Sequence, residues 1–396
     1  MKYWRGYITA AIIAVLTWAL MQFCASHGTL VDMIYPYVSR LIQTQLADWV
    51  SSVSFCLWQL LAVLLGVMAL ASIVLMIIFR WNFFQWLGWV LACACTLFFL
   101  HTGFYGLNNY AGPLAEDIRL SVIEENGYSA TELADATTYF RDKANALAQQ
   151  VPRDEEGKLD YPSFEQIAEL AASGFEHLTY DDYLSVFAGS FKPVKKLGWA
   201  DMYTSMGIDG ITMPLTGEAA VNPQIPLVNM PFTMCHEMAH RMCIASERDA
   251  NFAAFLACSV HSDPQFQYSA YFMAFRYCYN ALASVNTQSA AAAVARVKEG
   301  IGENLRKDFN AYDAFFRQKQ DTKATKFAAT VNDTYLKTSG ESDGVASYNQ
   351  VCDLLVNWHI QTVVLPAITE EKTAFDPYDK TKVDLSGIVN ARGGIG

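Results

Sequence analysis

Three long uncharged apolar runs in the first quarter of the chain constrain its fold more than any other feature. Gly6 to Cys24 carries no charge after Arg5, Phe55 to Phe79 none before Arg80, and Asn82 to Phe104 none at all. A helix crosses the hydrocarbon layer of a bilayer in about 20 residues, and an isolated span must satisfy its own backbone. Each run is therefore expected to be a transmembrane helix, over about 6–24, 55–79 and 82–104. The first run lacks a small-x-small cleavage site and two further spans follow, so it reads as a retained anchor rather than a signal peptide.

Lys2 and Arg5 place the N-terminus inside, and Arg80, in the short turn between spans two and three, then also falls inside. An odd number of spans puts everything after about residue 105 outside the cell membrane. The expected organisation is a membrane domain at 1–104, an extracytoplasmic domain at 105–385, and a Gly-rich flexible tail at 386–396. Charge follows the same division. Residues 1–103 hold four Lys/Arg and two acidic residues, which leaves −13 of the chain's net −11 to the remainder. An acidic soluble part excludes nucleic acid as a partner; the lipid bilayer is the partner that the first quarter implies.

Nine Cys form no disulfide framework. Cys24, Cys56, Cys93 and Cys95 lie in or beside the spans, and the five others, Cys235, Cys243, Cys258, Cys278 and Cys352, sit in apolar helical settings where a small buried hydrophobe is the default.

Between the first two spans, Met33 to Val53 alternates polar and apolar residues at helical spacing, which suits an interfacial helix on the outer surface or a cover over the outer domain. Residues 114–190 read as helices around a polar loop at Val151 to Pro162. Residues 192–232 change character: 192–197 and 210–215 are short β-leaning runs broken by Gly and Pro. Gly207 to Asn222 is expected to line a cleft and to pair with an extended substrate, and Glu218 within it reads as a cleft carboxylate or, the commoner case for a hairpin loop, a solvated residue. From Pro264 the chain is helical again, through an aromatic helix at 266–282 and a last helix at 345–368 with Pro366 as its stop. The fold class is predominantly α with a small β element, an α+β arrangement.

The stretch Thr233 to Cys258 carries the chemistry. Its His236-Glu237-Met238-Ala239-His240 is HExxH, and on a helix the four-residue spacing stacks both imidazoles on one face, about a turn apart. They are placed to grip one zinc ion, with Glu237 at the edge of that face as general base. A catalytic zinc usually takes three protein ligands, and the nearest candidate for the third is Glu247, on a second helix opened by Ser246. Asn251 lies one turn behind it, while Asp249 lies roughly 200° round the helix from Glu247. His261 and Cys235 are less suited ligands. A donor to a developing oxyanion is needed as well. Tyr335, Tyr348, Arg276 and His359 are available, and nothing in the sequence chooses among them.

With these residues in hand, the chain resembles a bacterial family of membrane-anchored HExxH proteins of unknown function, grouped with gluzincin-type zinc metallopeptidases. The resemblance runs through YGLNNYAGPLAE (105–116), GIDGITMPLTGEAAVN (207–222), PFTMCHEMAHRMCIASERDANFAAFLAC (231–258) and YLKTSGESDGVASYNQVCDLL (335–355). It implies a zincin-like domain with one zinc per chain on His236, His240 and Glu247, and Glu237 as base. It also implies an orienting role for Asn251 toward a His ring nitrogen, where related membrane peptidases carry Asp. Arg241 is a second departure, being charged where most zincins are not.

The function expected is hydrolysis of a peptide bond in a protein or peptide substrate by a multi-pass, zinc-dependent metallopeptidase of the cell membrane. A catalytically silent zinc-binding sensor or binding module of the envelope is the alternative, favoured by a fourth protein ligand such as His261 or Cys235.

Overall fold

The computed structural model describes residues 2–120, 128–180, 186–317, 322–339 and 350–366. Four long helices open the chain: α1 (Arg5–Ser26), α2 (Gly28–Val50), α3 (Leu57–Ile78) and α4 (Phe83–Phe104). Of these, α1, α3 and α4 are long and apolar enough to cross a membrane, which marks the chain as a multi-pass membrane protein. The first and last pack together through small residues. A Cβ on Gly6 of α1 would lie 2.5 Å from the backbone carbon of Gly88 on α4, so the absence of side chains is what lets the two backbones approach. By contrast α3 buries only Gln59 of its 22 residues.

The N-terminus of α3 and the C-terminus of α4 have backbone groups with no intrahelical partner, and side chains from elsewhere satisfy them. At the C-terminus of α4, the Tyr35 hydroxyl lies 3.1 and 3.0 Å from the carbonyls of Thr102 and Gly103, and Ser39 donates to the Phe104 carbonyl at 2.7 Å. At the N-terminus of α3, the Glu218 carboxylate accepts from the N–H groups of Leu57 at 2.7 Å and Trp58 at 2.8 Å. Lys195 pairs with Glu218 at 2.7 Å and donates to the carbonyls of Val50 and Phe55. The expected solvated Glu218 is thus corrected: it is 2% exposed and locks the sheet to a membrane helix.

After α4 come α5 (Leu114–Asp117), α6 (Ala130–Leu147) and α7 (Phe164–Tyr180), then β1 (Lys195–Lys196), α8 (Ala200–Met206), β2 (Gly210–Met213) and β3 (Glu218–Val221). The helices α9 (Met230–Arg241), α10 (Glu247–Ser259), α11 (Pro264–Ser284), α12 (Gln288–Glu299), α13 (Glu303–Arg317), α14 (Lys323–Ser339) and α15 (Val351–His359) complete the described chain, and a π turn follows at Ile360–Val364. The protein is therefore mostly helical with one three-stranded sheet of order β1-β3-β2. In it β1 runs parallel to β3 and β2 antiparallel, with Gly210 opposite Val221 and Met213 opposite Glu218.

Local sequence explains many boundaries. Ser129 and Glu132 form a reciprocal capping box at the start of α6. Asp263 caps α11 and Pro264 occupies its first turn; Thr287 caps α12. The core gathers Phe140, Phe175, Phe252, Phe255, Phe272 and Phe275 from α6, α7, α10 and α11, all 1% exposed or less. Burying each contributes about 1.5–3 kcal/mol. Packed in this core, α9 and α10 lie side by side and form the floor of the candidate site.

Candidate metal centre

Pro231 in the first turn starts α9, and all twelve residues of this helix are buried. Its end is a sharp reversal. Cys243 adopts the left-handed conformation at φ 72°, and the Ile244 N–H donates to the Ala239 carbonyl at 3.1 Å, six residues closing on one as in a Schellman ending. The reversal swings the Ile244 carbonyl back onto the helix, 2.8 Å from Nδ1 of His240. With Nδ1 committed to that carbonyl, Nε2 is the nitrogen left to face the site. Four residues after the turn, Glu247 opens α10.

His236, His240 and Glu247 converge. The two Nε2 atoms lie 3.1 Å apart, and Oε2 of Glu247 lies 3.2 Å from that of His236 and 3.4 Å from that of His240. Ligands bound to one zinc at about 2.0–2.1 Å in tetrahedral geometry stand about 3.3 Å from each other. The triangle has the dimensions of one face of that tetrahedron, and the three residues form a buried group able to hold a metal ion. Its His2Glu composition suits zinc.

Without a metal the triad is a charge pair. Burial alone would push His240 down, but the Glu247 carboxylate beside it raises it to about 9. Burial likewise pushes Glu247 up, and the charge of His240 with hydrogen bonds from both imidazoles holds it well below the usual carboxylate range. Metal binding must displace the proton shared in this group.

Glu237 is 5% exposed, and burial raises its pKa against the pull of His236, His240 and Thr212. The edge strand β2 lies directly over it. A Cβ on Gly210 would meet Oε1 of Glu237 at 2.4 Å, so only glycine permits this approach. Thr212 Oγ1 lies 2.8 Å from both the main-chain carbonyl oxygen and Oε2 of Glu237. One hydroxyl proton serves one acceptor at a time. When it goes to the carbonyl, the second contact is completed by a protonated Glu237 donating to Thr212. The pair thus suits a carboxyl that alternates between its two protonation states.

Other residues singled out in the sequence have structural partners. Asn251 is buried one turn behind Glu247, and its Oδ1 accepts from the Tyr277 hydroxyl at 3.3 Å; Nδ1 of His236 and Nδ2 of Asn251 have no partner among the described residues. Asp249 points away from the triad and accepts from the Leu114 N–H at 3.0 Å, docking the segment that leaves α4. Arg241 donates to the carbonyls of Ser190 and Lys192, and burial lowers its pKa to about 10. Its charge braces the approach to β1 instead of facing the metal group.

His261 accepts from the Asp263 N–H through Nδ1 at 2.9 Å, approaches Ser173 and Leu170 through Nε2, and stacks on Phe266. Cys235 donates toward the Ala171 carbonyl at 3.7 Å. His359 packs against Tyr139, and Arg276 lies over the Tyr312 ring. Tyr335 lies in α14; Tyr348, residues 340–344 of the Gly/Ser loop and the 386–396 tail lie outside the described residues.

Sequence reasoning missed Gly210, Thr212 and Tyr277. Gly210 stood in the strand proposed to line the cleft, but its contact with Glu237 is a tertiary fact with no local signal. Tyr277 was absorbed in an aromatic helix that reads as core.

No curated protein and no solved structure matches the chain. Residues 31–356, from α2 through most of α15, match the family model described as "Protein of unknown function (DUF3810)", and the chain belongs to that family.

Proposed function

We propose that the protein is a membrane-anchored zinc metallopeptidase that hydrolyses peptide bonds. The observation that carries this reading is the triangle of His236, His240 and Glu247, with edges of 3.1–3.4 Å, beside the buried carboxyl of Glu237. His236, His240 and Glu247 would hold a zinc ion, which would supply Lewis acidity for a scissile carbonyl and lower the pKa of a nucleophilic water.

Glu237 takes the proton from the attacking water and returns it to the leaving amine. Its raised pKa suits both halves of that transfer. Thr212, in contact with Oε2, fixes the orientation of the carboxyl. The edge of β2 offers backbone groups to an extended peptide, holding the scissile bond beside Glu237. Charge placement in the first quarter supports an extracytoplasmic site.

The test is a peptide-library cleavage screen with the zinc-loaded full chain. Wild-type protein cleaves, while Glu237→Gln keeps its zinc and loses cleavage. Zinc retention with no cleavage by the wild type would instead point to a silent zinc-binding module.

A further inference from the structure

The exposed face of α2 and the edge strand β2 together define where the site sits. Leu30, Met33, Ile34, Tyr37 and Leu41 form one apolar stripe on α2, each 44–67% exposed. The opposite face carries Ser39, Arg40, Gln43 and Ala47, all buried. Only His27 separates α2 from the membrane span α1, and Tyr35 and Ser39 cap the outer end of α4. The stripe is continuous with the membrane-spanning surface, so the occupant it fits is lipid at the outer edge of the bilayer.

The buried face of α2 holds the candidate site directly. Nε of Arg40 donates to the carbonyl of Met242 at 3.2 Å, two residues past His240, and the Cys243 thiol donates to Ser39 at 3.2 Å. Gln43 donates to the carbonyl of Pro214 at 3.0 Å, the residue that follows β2. Gly217, in the same hairpin, sits so close that a Cβ would lie 2.7 Å from the Ala47 nitrogen. One helix thickness, about 10–12 Å, therefore separates this level from lipid. From Gly210, against Glu237, to Pro214, against α2, is about 13 Å of extended chain. The strand that lies over Glu237 thus leads directly into a turn that packs on α2.

We propose that the substrate is an extended juxtamembrane segment of a bilayer-anchored polypeptide, laid along β2 with its membrane-proximal end at Met213 and its scissile bond at Glu237. The proposal rests on the hydrolase reading for its chemistry, but its geometry is independent of the metal. A soluble peptide has no reason to be favoured by a site held this close to lipid, whereas an anchored one arrives at the right height.

The test uses the full chain in phospholipid vesicles. Nitroxide labels at Met33→Cys, Tyr37→Cys and Leu41→Cys, in a Cys93→Ser background, are expected to collide with oxygen more than with a water-soluble nickel chelate. A label at Lys158→Cys, whose side chain is 73% exposed, should show the reverse. The peptide selected in the cleavage screen is then presented free, fused to a single-span anchor, and fused through a rigid helical spacer of about 20 residues, about 30 Å long. The short anchored form is expected to be cleaved fastest, with a loss of at least about tenfold on adding the spacer, because a stiff linker that holds the segment away from the site lowers its effective concentration.

Water-type accessibility at all three α2 labels overturns the placement whatever the zinc content. Cleavage that ignores the spacer overturns the substrate class and leaves the hydrolase intact. Failure of zinc-loaded protein to cleave any peptide removes the hydrolase reading and this proposal with it.

Discussion

Replacing Glu218 should loosen the joint between the sheet and the membrane helices more than any other single change there. Its carboxylate has 0% side-chain exposure and accepts three hydrogen bonds of 2.7–2.8 Å, from the Leu57 and Trp58 N–H groups and from Lys195. Losing a side-chain acceptor at a helix N-terminus costs about 1 kcal/mol. Removing one partner of a buried pair costs about 3–5 kcal/mol, because the other charge stays behind. Here Lys195 keeps two carbonyls, at Val50 and Phe55, which softens that term. The two costs overlap, and about 4 kcal/mol is expected for Glu218→Ala. Glu218→Gln retains one acceptor and should cost about 2–3 kcal/mol. Adding Lys195→Met removes the stranded charge, so Glu218→Gln with Lys195→Met should be more stable than Glu218→Ala by about 1 kcal/mol or more. Thermal unfolding of the full chain in detergent, followed by circular dichroism, reads these differences at about 2 °C per kcal/mol. A melting temperature for Glu218→Ala within about 2 °C of wild type, or a double variant no better than that single one, would refute the reasoning.

Two further outcomes follow from the site and its frame. Gly210→Ala puts a Cβ 2.4 Å from Oε1 of Glu237, so the carboxylate must move by about 1 Å to reach ordinary contact distance; zinc content should stay unchanged while turnover falls by about 10²-fold, and unchanged turnover with the substitution verified would show that Glu237 has room to spare. His261 is held neutral by burial, with Nδ1 accepting the Asp263 N–H. Its folded pKa is depressed, so below the ordinary histidine value of about 6.5 the unfolded chain binds the extra proton and stability falls as pH drops; melting curves between pH 7.5 and 5.5 should show a loss that His261→Asn diminishes, and parallel slopes would contradict this.

Much of this was legible in the sequence because the signals are local. The apolar runs gave helices at Arg5–Ser26, Leu57–Ile78 and Phe83–Phe104, within two residues of the expected bounds. HExxH needs only helical periodicity to align His236 with His240, and Ser246 marks the start of α10 although its side chain makes no capping bond. The fold class follows from the same periodicities.

What stayed hidden depends on long-range pairing. Glu218 lies in a Gly-flanked hairpin, where solvent is the local expectation, yet its partners are Leu57 and Trp58, about 160 residues earlier in the chain. Arg40 and Gln43 look like the polar face of an interfacial helix and in fact grip Met242 and Pro214. Helix α2, which precedes the boundary expected near residue 105, thus packs on the residues that flank the site. Arg241, which looked out of place beside His240, is explained by two main-chain carbonyls that no motif encodes.

Elemental analysis of the full chain, purified in detergent without chelators and compared with His236→Ala/His240→Ala and Glu247→Ala variants, tests the central claim most directly. About one zinc per wild-type chain, absent from the double His variant and strongly reduced in Glu247→Ala, is the predicted result. Folded wild-type protein that takes up no zinc, or variants that keep it, would contradict the account.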